Sequence, residues 1–367
     1  MIAREAAFAI VLFSALTLCA GEVTYRTDGG NEKLPWFQLK AGEFPPEGSA
    51  HYISGELIGV DHINRAGVLR PDRNDSQRTD DYDKASPFTL LPYGSITYHG
   101  APAEMRDIPI GTHLHGQFYI EEKVDKNGKG AFNRCLKLED DFSFFQRQQR
   151  AWRVESVQLD KNKLNVIGVG PGDKVDAKPT AFVINAATRI WKGRAIGTLA
   201  DVAAGQRVLI NLTVCTLKGP GRCTDIWIDE ESQKVATAQQ VEIHRLFQRE
   251  HGLACWIDEV DNKESIVTVT LFGGFDPKLK EDFPLKMSVA AAVAEENLRT
   301  YDQINDTMRG PILEILEVPV LPGSSGIRLK FKVNTLLEGY RPKRFLRLFS
   351  GKWKVDDIPK EERLYPF

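Results

Sequence analysis

Three things are scarce in this chain, and each scarcity closes off a class of function. The first is charge of one sign: 48 Lys and Arg stand against 50 Asp and Glu, giving a formal net charge of −2 and an isoelectric point near 6.4. A general nucleic-acid binder carries a clear basic excess, so that class is set aside. The second is long apolar sequence. Only Ala6 to Leu18 is a sustained apolar run, and a helix of that length covers roughly 20 Å at about 1.5 Å per residue, short of the roughly 30 Å hydrocarbon core of a bilayer. The third is cysteine, with five in 367 residues and neither a CxxC pair nor a Cys/His zinc spacing. Catalytic signatures are missing too: there is no Gly-x-Ser-x-Gly elbow and no His-Glu-x-x-His helix. Gly168 to Asp173 lacks the Lys-Ser/Thr that a phosphate loop requires.

What is present begins with the N-terminus. Arg4, the apolar run and then Cys19-Ala20-Gly21 have the layout of a signal peptide over residues 1–21. Cys19 offers a lipidated alternative, which the bulky Leu18 before it disfavours. The expectation is an exported protein, periplasmic or extracellular, with no membrane span in the mature chain. In that oxidising setting the four remaining cysteines permit disulfides. Cys215 and Cys223 flank a turn-rich stretch between two strand-like runs, so a hairpin disulfide between them is expected; Cys135 and Cys255 are left without an assigned pairing.

The chain also repeats itself. Thr97-Tyr98-His99-Gly100, then Asp107, Gly111 and the run Thr112 to Tyr119, match Ile190-Trp191-Lys192-Gly193, then Asp201, Gly205 and Gln206 to Thr213. Asn133-Arg134-Cys135 matches Gly221-Arg222-Cys223, and Phe145-Gln146-Arg147 matches Phe247-Gln248-Arg249. In a fainter third copy Thr300-Tyr301-Asp302 fits the first of these segments. Repeats speak of architecture before chemistry. Each copy holds about five short strands, with period-2 patterning such as Ile53, Gly55 and Leu57. The reading is mainly β: three consecutive small Greek-key (OB-like) barrels joined by short helices. An irregular lead-in (22–49) carries Trp36 and Phe37, and the barrels occupy 50–150, 151–252 and 253–349, ahead of a charged tail (350–367). The connectors Phe142 to Trp152 and Glu230 to Glu250 are expected to be helical, the second ending at Gly252. Residues 71–84 and 303–325 read as a polar loop and an insert.

Few residues carry chemistry. His113 and His115 lie two apart on one strand and so share a face, and His99 ends the preceding strand. Converging imidazoles bind zinc or copper. The second copy sets Arg207 and Leu209 opposite His113 and His115, so it lacks the ligands, and surface histidines are the plainer reading. Tyr98, Trp191 and Tyr301 occupy one place in the three copies. Exposed, such rings stack on sugars or bases; buried, they are core. Asp225, Asp229, Glu230 and Glu231 could supply a carboxylate pair or calcium oxygens, but Asp229-Glu230-Glu231 suits better the start of a helix, where negative charge meets the dipole. Asp61, Asp160 and Asp261 each precede a turn-like segment and read as turn residues.

The stretches Gly111 to Gly116, Phe145 to Trp152, Gly219 to Trp227 and Thr268 to Gly274 resemble a family of uncharacterised exported bacterial proteins with tandem OB-like β-barrel repeats. The resemblance covers most of the chain after residue 50 and implies a fold but no transferable activity. The functional expectation is a non-enzymatic binding or scaffolding protein whose partner is a protein, a glycan or a cell-envelope component. The alternative is a metal-binding protein or metalloenzyme built on His99, His113 and His115.

Overall fold

The computed structural model describes residues 24–27, 33–73, 83–121, 131–216, 219–293, 309–336 and 338–353. The expected leader, Tyr301 and most of the charged tail lie outside them. Among the described residues no helix is long and apolar enough to cross a membrane.

The first barrel follows from alternating apolar residues. It comprises β1 (His51–Asp61), β2 (Ala66–Pro71), β3 (Ser86–Tyr98), β4 (Ala101–Ala103), β5 (His113–Ile120) and β6 (Phe132–Asp140). The neighbour order is β2-β1-β5-β6-β3-β4, and a further β2–β3 pairing closes the ring. β3 and β6 run parallel and the other pairs antiparallel. With β4 a short return off β3, the five long strands follow the OB path. Leu57, Leu69, Ile96, Leu114, Phe118 and Leu138 fill the interior, each contributing about 1.5–3 kcal/mol over an exposed position.

The second barrel repeats that path with β7 (Ala151–Gln158), β8 (Lys163–Val169), β9 (Thr180–Val183), β10 (Arg189–Lys192), β11 (Ala195–Gly197), β12 (Arg207–Leu212) and β13 (Cys223–Trp227). Here β9 and β10 share the role of the third strand, and β10 runs parallel to β13. The third barrel is closed by β14 (Leu253–Asp261), β15 (Ile266–Phe272), β16 (Ser288–Val293), β17 (Arg309–Glu317), β18 (Ser324–Lys332) and β19 (Phe345–Ser350), in the order β14-β15-β18-β17-β16-β19. All its neighbours are antiparallel. β17 falls inside the expected insert 303–325. Its Leu313, Ile315 and Leu316 are exposed, so the run shows no clean alternation to mark it as a strand.

All three barrels share one device. The first strand bulges after Leu57, Val154 or Ile257. The residue before the bulge exchanges two backbone bonds with the chain: Leu57 with Gly111 and Thr112, Val154 with Gly205 and Gln206, Ile257 with Lys343 and Arg344. The first partner sits at φ 94°, 85° and 70° in turn, a left-handed conformation that explains the glycines of the first two copies.

The connectors are α1 (Asp141–Arg147) and α2 (Glu230–His251). Asp140 and Asp229 cap them by accepting from the Ser143 and Ser232 N–H at 3.0 and 2.7 Å. The two serine hydroxyls accept from the Gly100 and Gly193 N–H at 2.8 and 2.7 Å. α1 ends sooner than the sequence suggests, because Gln149 turns to φ 55° and feeds β7. α2 lies along the first barrel, Thr237 donating to the His99 carbonyl at 2.7 Å, and reaches the third through Arg245 and Asp276. Tyr93, Tyr119, Trp256 and Phe272 pack directly between barrels one and three, joined by Phe37 and Phe44 from the lead-in. Trp36 packs edge-on against Phe132, 4.8 Å between centroids.

The Cys215–Cys223 disulfide is not formed; Cys135, Cys215, Cys223 and Cys255 are all free thiols. The hairpin register sets Cys223 opposite Leu212, inside the second barrel's core. Past Thr213 the chain leaves its partner strand, and Cys215 turns to the first barrel, its carbonyl accepting from Arg73 N–H at 3.1 Å. Cys135 and Cys255 are buried in the cores of separate barrels.

Candidate metal centre

His113 and His115 project from β5 on the side opposite Leu114, which points into the barrel. They therefore lie on the barrel exterior, as the comparison of the copies implies. That exterior is covered: α1 and the segment after β12 close over it, leaving His113 only 3% exposed. Asp141, the first residue of α1, enters from one side. Asp72, just past β2, enters from another, its N–H bonded to the Ser54 carbonyl at 2.9 Å. Cys215 arrives from the second barrel.

The contacts form a chain. His113 Nδ1 lies 2.8 Å from Asp141 Oδ1, and His115 Nε2 lies 2.9 Å from the same oxygen. The other Asp141 oxygen accepts from the Leu212 N–H at 2.9 Å. On the far side, His113 Nε2 lies 2.9 Å from Asp72 Oδ2 and 4.0 Å from Cys215 Sγ. Asp72 also accepts from Ser54 Oγ at 2.6 Å and from the Cys215 N–H at 2.8 Å. Tyr52 hydroxyl meets His115 Nδ1, and the Phe144 ring lies flat on His115 with centroids 3.7 Å apart.

The electrostatics follow from burial opposed by charge. Burial alone lowers the His113 imidazole, but the Asp141 charge and the bonds to Asp141 and Asp72 override it and hold the ring well above its usual value. Burial would raise Asp141, yet His113 and His115 pull its carboxyl far below the usual range. Asp72 is lowered in the same way, its burial outweighed mainly by the His113 bond.

Two donor sets arise. Asp72, His113 and Cys215 offer ligand atoms within 4.8 Å of one another, and so do His113, His115 and Asp141. They share one imidazole through different nitrogens. With Nε2 directed to a cation beside Asp72 and Cys215, Nδ1–H donates to Asp141, the carboxylate–histidine arrangement that fixes the tautomer of a metal-bound ring. One thiolate, one imidazole and one carboxylate suit a borderline-soft divalent ion such as zinc, with a coordination position to spare.

The other sequence candidates go elsewhere. His99 belongs to neither set. Its ring is stacked on Tyr98 at 3.7 Å and set edge-on to Trp227 at 4.8 Å, because at φ 52° it is already in the turn that leaves β3. Tyr98 is 5% exposed and part of the first barrel's core, and burial pushes its hydroxyl up. Trp191 is half-buried, with Nε1 donating to Asp225 at 2.8 Å. Neither ring is an open stacking platform. Asp229 and Glu230 begin α2, and Asp61 bonds Asn64 in a turn.

Asp72, Asp141 and Cys215 escaped sequence reasoning. The available signal was the doubled acid Asp140-Asp141 at the first helix start: one carboxylate caps, which leaves the next unassigned. The second copy shows that the fold does not need this cluster. Its helix carries the same Asp–Ser cap, but Glu230 beside the cap is exposed and paired with Lys234, and Leu209 packs against Trp227.

The chain matches no family model, and no curated protein or solved structure is significantly similar to it. The geometry of the cluster therefore carries the functional argument.

Proposed function

We propose that this is an exported metal-binding protein, holding a zinc-class divalent ion at the junction of its first two barrels through His113 Nε2, Asp72 and Cys215. The observation that carries the reading is the meeting of three unlike donors from three remote segments, one of them an imidazole whose other nitrogen is already held by Asp141. Asp141 and Ser54 orient the ligands, and Phe144 covers His115 against water. His99 has no part in the site. A scaffolding role toward a protein, glycan or envelope partner is the second reading. It is favoured by the docking of all three barrels through α2 and the aromatic cluster around Trp256.

The test is elemental analysis of the mature protein, purified without chelator or affinity histidines, beside His113→Ala, Cys215→Ser and His99→Phe. About one zinc per chain is expected in wild type and His99→Phe, with loss in the other two. Cobalt-loaded wild type should show a thiolate charge-transfer band that Cys215→Ser removes. Folded wild type that retains no metal after loading and washing, or a Cys215→Ser variant that keeps both the metal and the band, would sink the reading.

A further inference from the structure

A second polar site lies at the junction of the first and third barrels, apart from the histidine cluster. A small cavity of about 40 Å³ is lined there by Arg65, Ser95 and Glu104 of the first barrel, Gln248 of α2, and Gly273 and Arg347 of the third. Sites for drug-sized ligands run to about 300–1,000 Å³, so this one suits a small ion.

Its charges do not balance. Arg65 donates to the carbonyls of Leu91, Pro92 and Gly94 and lies 3.5 Å from Glu104. Arg347 has no such carboxylate among the described residues. Its Nη1 donates to the carbonyls of His251 and Gly252, each at 3.3 Å, at the end of α2. Its Nε is buried with no acceptor among the described residues. Burial, and then the neighbouring Arg65 charge, lower this guanidinium to about 10 against the pull of Glu104. A buried cation without its own counter-charge is among the costlier arrangements in a fold, and a guanidinium fork matches an oxyanion in geometry as well as charge.

We propose that this cavity is an anion site, taking a free tetrahedral oxyanion such as phosphate or sulfate between Arg347 and Arg65 and so fastening the third barrel to the first. The ligand assigned is the free ion, the size that volume matches. Gln248, 8% exposed on α2, is the neutral neighbour where an isosteric carboxylate would do the anion's work.

Thermal unfolding of the full mature chain in anion-poor buffer tests this, with sodium phosphate or sodium sulfate added and sodium chloride at matched ionic strength as the control. Either oxyanion should raise the melting temperature saturably, by on the order of 5 °C, and chloride much less. Gln248→Glu should melt above wild type without added anion and gain little from phosphate. Arg347→Met, if it folds, should also lose the response, and if it does not fold, Gln248→Glu decides alone. No rise in wild type, an equal rise with chloride, or a full phosphate response in Gln248→Glu would each overturn the site.

Discussion

Replacing His99 with Phe should change the pH dependence of stability far more than the chemistry of the protein. The His99 ring is enclosed by Tyr98, Phe142 and Trp227, and its Nε2 is buried without a partner among the described residues. Burial, only partly opposed by Asp225 and reinforced by Arg189, lowers the ring from 6.5 to about 4. The unfolded chain thus binds a proton below pH 6.5 that the folded chain refuses until about pH 4, so stability falls as pH drops through that window. At about 1.36 kcal/mol per pH unit the full loss is roughly 3 kcal/mol, and about 2.5 kcal/mol of it is reached by pH 4.5. His251, lowered mainly by burial to about 3, acts in the same sense. Asp140, raised by burial to about 6, acts in the opposite one. Both remain in the variant and cancel in the difference. Phe at φ 52° adds an offset, but one independent of pH. Urea unfolding of both chains between pH 4.5 and 7.5 should show the wild type losing about 2.5 kcal/mol relative to the variant on acidification. A difference constant to within about 0.5 kcal/mol across that range would refute the burial argument.

Asn211 is buried between the first two barrels, accepting from Phe142 N–H at 2.8 Å and donating to Asp140 at 2.8 Å. Asn211→Leu strands the Phe142 N–H and removes one of several donors from the buried Asp140, and should cost about 2–4 kcal/mol in urea unfolding; a loss below about 1 kcal/mol would contradict the hydrogen-bond accounting. Among the cysteines of the described residues, alkylation of the native, metal-free chain should mark Cys215 and spare Cys135, Cys223 and Cys255 until unfolding, since burial pushes those three thiols up. Mass spectrometry finding a Cys215–Cys223 bridge in the folded protein would refute the register that separates them.

Most of the architecture is legible in the sequence, because its signals are local. Alternation along β1 and β5, the positive-φ glycines Gly111 and Gly205, and the Gly252 helix end each act over a few residues, and repetition made them legible twice. The three-barrel β fold with helical connectors is what the structure shows. β17 is not legible because its exposed apolar residues blur the period, and nothing in Gln148-Gln149 marks the turn that ends α1. The candidate site is different. His113 and His115 were legible because two residues on one strand must share a face. Asp141, Asp72 and Cys215 stand 28, 41 and 102 residues from His113: pairing of β5 with β6 and with β1 brings the first two to it within the first barrel, and only the docking of barrel on barrel brings Cys215. The same docking decided that His99 turns toward Trp227, that Cys215 leaves Cys223 for Asp72, and that Arg347 lies near Arg65. Local periodicity sets which face a side chain takes, but its neighbours across an interface depend on how whole barrels pack, and no short-range pattern encodes that.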